Sequence, residues 1–365
     1  REAWKLPRQM TASEWADEFR ILDPLTSAEP GQWRTSRTPY LRGIMDAFTD
    51  PDVEEITVMA STQIGKTESM YNMIGYTIDQ DPGPALLVMP RKETDVKSVS
   101  KDRIKPMITN SPALAQHLTG VEDDITQLEY RFDRMILYFG GSNSPADLAQ
   151  RPIRYLFFDE VDKYPRFSGR EADPIKLATE RTRTFWNRKI IKCSTPTTRQ
   201  GFIFREFERS EKFRYYVPCP HCGKYQILIW HQIKWPETER NPDKIKTGRL
   251  AWYICEFCHE RISDYQKPKM LKNGVWCPDG CSVELDGSIT GERLNLSHRG
   301  FWISALYSPW LTFSEIAAEF LDSYDYVEKL MYVVNSWWAE IWEEKTEESK
   351  PEILVSKALT YSMGE

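Results

Sequence analysis

A short apolar, β-branched run at residues 55–60 feeds into Ala60-Ser61-Thr62-Gln63-Ile64-Gly65-Lys66-Thr67, and a helical pattern follows over residues 66–79. A strand that turns through glycine into a helix forms an anion-binding loop. Backbone amides at the helix start are free to donate, and the helix dipole favours negative charge there. Gly65 lets the backbone approach a phosphate. Lys66 would reach the β- and γ-phosphates, and the Thr67 hydroxyl would ligate Mg2+. The first position of the eight-residue pattern, usually Gly, is Ala60 here. Because Gly-Lys-Thr also arises by chance, this loop needs a second motif.

That motif is Leu156-Phe157-Phe158-Asp159-Glu160, an apolar run ending in two acids. Continuous apolar character buries a strand on both faces of a parallel sheet, so the acids emerge at its carboxyl end. Asp159 would hold Mg2+, and Glu160 would act as general base on the attacking water. A solvated acidic turn of Asp159, Glu160 and Asp162 is the plainer alternative. A third strand end, Cys193-Ser194-Thr195-Pro196, offers Ser194 and Thr195 as groups that could sense loss of the γ-phosphate. Phosphoryl transfer also needs a cation at the transition state. Arg91, Arg103, Arg151, Arg181 and Arg183 are all candidates, and spacing does not choose among them.

The chain alternates helical and strand patterns. Helices are expected at residues 11–21, 41–49, 66–79, 95–108 and 173–184, and strands at 55–60, 85–89, 131–139, 154–158 and 189–193. This order predicts an α/β fold with a mostly parallel sheet flanked by helices. The texture changes near Phe213, and helical periodicity returns at 313–323 and 327–344. The expected divisions are an N-terminal segment (1–50), an ATPase core (51–212), a small cysteine-bearing insertion (213–273) and a return segment with a helical linker (274–365).

Four of the seven cysteines form two Cys-x-x-Cys pairs, Cys219/Cys222 and Cys255/Cys258. This is the spacing of a closed, structural Zn2+ site rather than of a disulfide framework, and Gly223 permits the tight turn that aims amides at thiolates. Cys277 and Cys281 find no partners for a second site. Lys224, Lys234, Lys244, Lys246 and Arg249 nearby could track a DNA backbone, although a solvated face is the simpler reading. The net charge is −6, from 48 basic and 54 acidic residues, so positive potential would have to be local. Thirteen Trp read first as large-area packing and only second as base-stacking groups. No apolar run approaches the roughly 18 residues of a membrane span. No secretory start is visible, so a reducing cytoplasm is expected. The first residue is Arg1 rather than Met, which suggests a longer parent chain.

Taken together, these motifs resemble the large subunit of double-stranded DNA phage terminases, in the lambda-like branch. The resemblance runs through Pro30-Gly31-Gln32-Trp33-Arg34, Thr38-Pro39-Tyr40 and the Ser61–Thr67 loop. It continues in Gly141-Ser142-Asn143-Ser144-Pro145-Ala146 and in Arg151-Pro152-Ile153-Arg154-Tyr155. Phe158-Asp159-Glu160-Val161-Asp162, Cys193-Ser194-Thr195-Pro196 and Tyr216-Val217-Pro218 before the knuckle follow. The last segment is Trp302-Ile303-Ser304-Ala305-Leu306-Tyr307-Ser308-Pro309-Trp310. It implies a P-loop NTPase that hydrolyses ATP to drive double-stranded DNA into a procapsid in the host cell cytoplasm. The implied partners are the portal protein and the small terminase subunit, with the motor docked as a pentameric ring. ATP would lie along Ser61, Thr62, Gln63, Ile64, Gly65, Lys66, Thr67 and Glu68, with Gln32, Trp33 and Tyr40 on the adenine side. Ser194-Thr195 would be the coupling motif.

Two departures stand out. Where many relatives carry an arginine inside the loop, this chain has Gln63, which favours an arginine from elsewhere or from a neighbouring subunit. Relatives also carry a metal-dependent nuclease after the ATPase, and a chain ending at Glu365 leaves no room for one, so nuclease activity is not expected. The competing readings are a helicase-like repair or restriction ATPase and a zinc-dependent DNA-binding module without turnover.

Overall fold

The computed structural model describes residues 9–169 and 173–343. At its centre is a ten-stranded sheet. In chain order its strands are β1 (Glu55–Ala60), β2 (Ala85–Met89), β3 (Glu129–Arg131), β4 (Ile136–Gly141), β5 (Tyr155–Asp159), β6 (Lys189–Ser194), β7 (Glu211–Pro218), β8 (Tyr225–Gln226), β9 (Val275–Pro278) and β10 (His298–Ile303). Their spatial order is β8-β7-β10-β1-β6-β5-β2-β4-β3, with β9 also paired to β7. Every pairing from β7 across to β4 is parallel. Antiparallel β3, β8 and β9 finish the two edges.

The α/β architecture read from the strand–helix alternation is therefore present, and burial explains why it was legible. All residues of β2 and β5 are buried, as parallel strands with both faces covered must be. On β7, buried and half-buried residues alternate. Around the sheet lie α1 (Ala12–Phe19), α2 (Leu41–Thr49) and α3 (Lys66–Asp79). Thr11 caps α1 in a reciprocal capping box with Glu14. From α2, Phe48 packs its ring against Tyr76 of α3 and against Tyr155 and Phe157 of β5, with centroids 6.2, 5.6 and 5.9 Å away. Among the described residues no helix is long and apolar enough to cross a membrane.

Several local expectations are corrected. The helix expected at 95–108 is a composite in which the π-helical turns Lys92–Val96 and Ser100–Ile104 alternate with the α-helical pieces Lys97–Val99 and Lys105–Asn110. Pro106 accounts for the second π turn. It has no N–H to donate and its ring crowds the carbonyl four residues back, so the turn before it widens. The run at 131–139 is not one strand but the turn and second arm of a hairpin, closed where Phe132 N donates to Met135 O at 2.9 Å. The helix expected at 173–184 ends at Thr179 and tightens into a 3-10 turn, Glu180–Thr182. The boundary expected at Phe213 falls inside β7.

Beyond β10 the chain forms α4 (Phe313–Ser323) and α5 (Val327–Ser336). The second helix stops eight residues short of its expected end at Glu344, which itself lies outside the described residues. The backbone instead turns at Ala339, whose φ is +55°. Between β8 and β9 the cysteine lobe holds a small antiparallel sheet of Ile233–Lys234, Trp252–Ile254 and Arg261–Ile262. Because β9 returns beside β7, the lobe is attached to one edge of the main sheet.

Candidate nucleotide site and cysteine centre

At the carboxyl end of β1 the chain turns through two left-handed residues, Gln63 (φ +55°) and Gly65 (φ +88°), before α3 begins. Glycine suits the second position twice over, since it carries no penalty at positive φ and a Cβ there would meet Leu41 Cδ1 at 2.9 Å. Tyr40 braces the turn from below. It is fully buried and its hydroxyl donates to Ile64 O at 3.0 Å. The Ser61 hydroxyl is buried with no hydrogen-bond partner, which is what a group awaiting a ligand looks like.

The loop and the acids converge, although β6 separates their strands. Lys66, 5% exposed, sets its Nζ 3.0 Å from Glu160 Oε1. Thr67 Oγ1 donates towards Asp159 Oδ1 and Oδ2 at 3.4 and 3.3 Å. Burial and the neighbouring Glu160 push the Asp159 carboxyl up to about 7, against the opposing pull of Lys66. Burial also acts to raise Glu160, but Lys66 and Lys163 outweigh it and hold that acid below its ordinary value. Two adjacent carboxyls are thus driven apart, one ready to take a proton and one kept ionised, which is the separation acid–base chemistry uses. Glu160 also adopts φ +55°, ψ +49°, a left-handed conformation that costs a side-chain-bearing residue on the order of 1–3 kcal/mol and tends to occur at functional sites.

Ser194 ends β6 between the other two strand ends. Its hydroxyl accepts from Asp162 N at 3.2 Å and donates to Thr195 O at 2.9 Å. Asp162 itself was missed by sequence reasoning, which counted it only as part of a solvated acidic turn. It is hydrogen-bonded to Thr197 and to Ile203 N. Arg20 was also missed. Its side chain is buried, and Nη2 lies 3.0 Å from Glu68 Oε2 in the first turn of α3. Nothing in the spacing of either residue distinguishes it from a surface charge.

The expected adenine-side residues are already engaged. Trp33 is buried with Nε1 on Thr35 Oγ1, and buried Tyr40 supports the loop, so neither ring offers a free face for stacking. Gln32 donates from Nε2 to Asp17 O and Arg20 O at 2.9 and 3.2 Å. Among the arginine candidates, Arg183 pairs with Glu180 at 2.7 Å and Arg151 lies 3.6 Å from Glu129 with its guanidinium over Tyr138. Arg103 donates to Thr26 O, Arg91 is exposed, and Arg181 Nε is buried without a partner.

In the lobe, the sulfurs of Cys219, Cys222, Cys255 and Cys258 lie within 4.8 Å of one another. The Cys219–Cys258 and Cys222–Cys255 separations are 3.8 and 3.9 Å. These are too long for disulfides, and they match the edge of a tetrahedron whose metal–sulfur bonds are about 2.3 Å. His221 N and Phe257 N donate to Cys219 Sγ and Cys255 Sγ, each at 3.4 Å. Nearby lysines are partly occupied: Lys224 sits over Phe257, and Lys244 and Lys246 lie 3.6 and 3.9 Å from Glu239 and Glu315. A second cluster of Glu55, Glu206 and His298 encloses Lys192, whose Nζ is 2.5 Å from each carboxylate. It is an ion-pair network with its cation built in.

Comparison with known proteins follows from this geometry. The sequence model of the family described as phage terminase large subunit gpA, ATPase domain, matches residues 27–276. A second model, terminase large subunit gpA, endonuclease domain, matches residues 298–365. That match corrects the expectation that nothing of a nuclease is present, and it begins on β10, a strand inside the main sheet. The chain is 25% identical to the large terminase subunit of Enterobacteria phage P21 and 26% identical to that of Escherichia phage lambda. Each alignment covers 98% of this chain and 56% of the relative, so the chain spans about half the length of these proteins. The Thermus phage P74-26 large terminase ATPase domain superposes with a TM-score of 0.44 at 10% identity, covering 82% of this chain and 92% of that one. The family model spans well over half of the sequence and contains both the phosphate loop and the paired acids, so the chain belongs to the phage terminase large subunit gpA ATPase-domain family.

Proposed function

We propose that this chain is the ATP-hydrolysing motor of phage genome packaging and that Lys66, Thr67, Asp159 and Glu160 carry the hydrolysis. The single observation that supports this most is the convergence of Lys66 on Glu160 and of Thr67 on Asp159 from two strands that are not neighbours. ATP would be cradled by Ser61, Thr62, Gln63, Ile64, Gly65, Lys66, Thr67 and Glu68. An incoming γ-phosphate competes with Glu160 for the Lys66 ammonium, and its arrival frees the Glu160 carboxylate to take a proton from the attacking water. Thr67 and Asp159 supply the hard oxygen donors that suit Mg2+, which when bound would neutralise charge on the β- and γ-phosphates. Ser194 and Thr195, joined to the acid turn through Asp162, would respond to loss of the γ-phosphate.

Zn2+ in the four-thiolate centre would act structurally, since four protein ligands leave no open position for chemistry. The substrate to be moved is double-stranded DNA. The portal protein, the small terminase subunit and a pentameric ring of this subunit complete the assembly. The helicase-like and non-turnover alternatives gain nothing from any particular observation. The experiment is ATP turnover with and without duplex DNA. Wild-type chain should hydrolyse ATP, and Lys66→Ala should abolish turnover while preserving the fold. Unchanged turnover in that variant would remove the site assignment.

A further inference from the structure

Asp162 lies two residues beyond Glu160, yet its carboxylate is bonded to the loop that follows β6 and to the first turn of the helix Phe202–Arg209 after it. Oδ2 accepts from Thr197 N at 2.9 Å and from Thr197 Oγ1 at 2.7 Å, while Oδ1 accepts from Ile203 N at 2.7 Å. Gly201 makes room for it, because a Cβ there would stand 2.3 Å from Asp162 Oδ2. From Thr197 the bonding continues into a distant part of the chain. Trp342 N donates to Thr197 O at 2.9 Å, Thr198 and Trp342 form a parallel bridge, and Arg199 pairs with Glu343 at 2.6 Å.

The stretch that ends at Glu343 is held at its other end by the phosphate loop. Thr62 donates to Ser336 O from both N and Oγ1, at 2.9 and 3.2 Å. In between, Ala305 N donates to Trp337 O and Trp302 Nε1 to Ala339 O, at 2.7 and 2.8 Å. Residues 336–343 are therefore a strap pinned at one end to the loop that would hold phosphates and at the other to the loop held by the acid turn.

We infer that Asp162 is a positioning residue which, through Thr197, makes the strap 336–343 follow the state of the nucleotide cleft. The inference rests on the nucleotide reading of the Lys66–Glu160 cleft. A strap pinned at both ends, and held between them by Ala305 and Trp302, must change its bonding when those ends move relative to each other. Losing the γ-phosphate lets Lys66 pair again with Glu160 across β6, as the two do at 3.0 Å here, so Thr62 and Thr197 need not keep their spacing. The strap lies within residues 298–365, the stretch matched by the endonuclease model, so the change would be delivered to that part of the chain. Linkage makes the effect reciprocal: whatever restrains the strap must alter nucleotide affinity by the same factor.

The test is residue-resolved amide hydrogen exchange on the full 365-residue chain with Mg2+ and either a non-hydrolysable ATP analogue or ADP. In wild type the Trp342 amide should exchange about tenfold differently in the two states, the size of an ordinary allosteric coupling. In Asp162→Asn that difference should fall below about twofold, while nucleotide affinity stays within about threefold and the Lys66 and Thr67 amides remain protected. Thr197→Val keeps the backbone bond and removes only the hydroxyl, so it should give an intermediate difference and serves if the Asn variant does not fold. The inference is overturned if the difference at Trp342 survives in the variants that fold. It is equally overturned if wild-type Trp342 is indifferent to nucleotide while the loop amides respond. Absence of protection at the loop itself would defeat the nucleotide reading along with it.

Discussion

The proposed nucleotide cleft and the cysteine centre each gather four reactive side chains from two separated segments, but they treat those groups in opposite ways. In the lobe every sulfur faces its three partners at metal-binding separation, and backbone amides donate to the thiols. In the cleft, Lys66 rests on Glu160, Asp159 is lifted to about 7, Glu160 is held in a left-handed conformation and the Ser61 hydroxyl has no partner. A closed centre satisfies its groups among themselves and contributes stability. A catalytic cleft leaves them to be satisfied by substrate, and the rest of the fold carries that cost.

The largest expected effect separates the two regions by activity. Lys66→Ala and Glu160→Gln should each lower ATP turnover by at least about a hundredfold, with thermal stability close to wild type. Next comes the reverse experiment. Chelating the proposed Zn2+, or Cys219→Ser, should destabilise the lobe by about 3 kcal/mol or more in a melting experiment, because folding and ligation are coupled in structural zinc sites. Equal losses of turnover from Lys66→Ala and from a still-folded Cys219→Ser would break the contrast.

A third prediction uses pH. Asp159 has a folded value raised from 3.8 to about 7, so between these values the folded protein holds a proton that the unfolded chain has released. The contribution of this residue to stability is therefore present at low pH and declines as pH rises from about 4 to 7. Melting curves of nucleotide-free wild type and Asp159→Asn should diverge across that window, with the wild type losing relative stability towards neutrality. Parallel curves would mean that Asp159 is not buried against Glu160. The smallest effect is Tyr40→Phe, which removes one buried hydrogen bond to Ile64 O. It should cost about 1 kcal/mol of stability and weaken nucleotide binding a few-fold, measurable by calorimetry.

Legibility followed the range of the interaction. β1, β2 and α1 through α3 were readable because apolar runs, a capping threonine and a glycine turn act over a few residues. The second π turn of the composite segment was not, because Pro106 changes the geometry of the turn before it without interrupting the helical pattern. The run at 131–139 was read as one strand because only Asp133 and Arg134 interrupt its apolar residues, too short a break to mark a tight turn. Tyr40 and Trp33 were assigned to a ligand face when their rings are buried, and aromatic identity carries no information about which side of a loop a ring occupies.

Local sequence determined the chemistry available to this protein. An amide-rich turn with lysine and threonine, two acids at the end of an apolar strand, and paired cysteines at metal spacing each express their character within a handful of residues. The tertiary structure alone decided which of these meet. β6 enters between β1 and β5, Asp162 holds the loop beyond it, and a strap from the far end of the chain joins Thr62 to Thr197. The physical reason is that hydrogen bonds and ion pairs act over only a few ångströms, while the segments they join here are separated by 35 to 274 positions along the chain, and no local pattern records which distant partner the fold delivers.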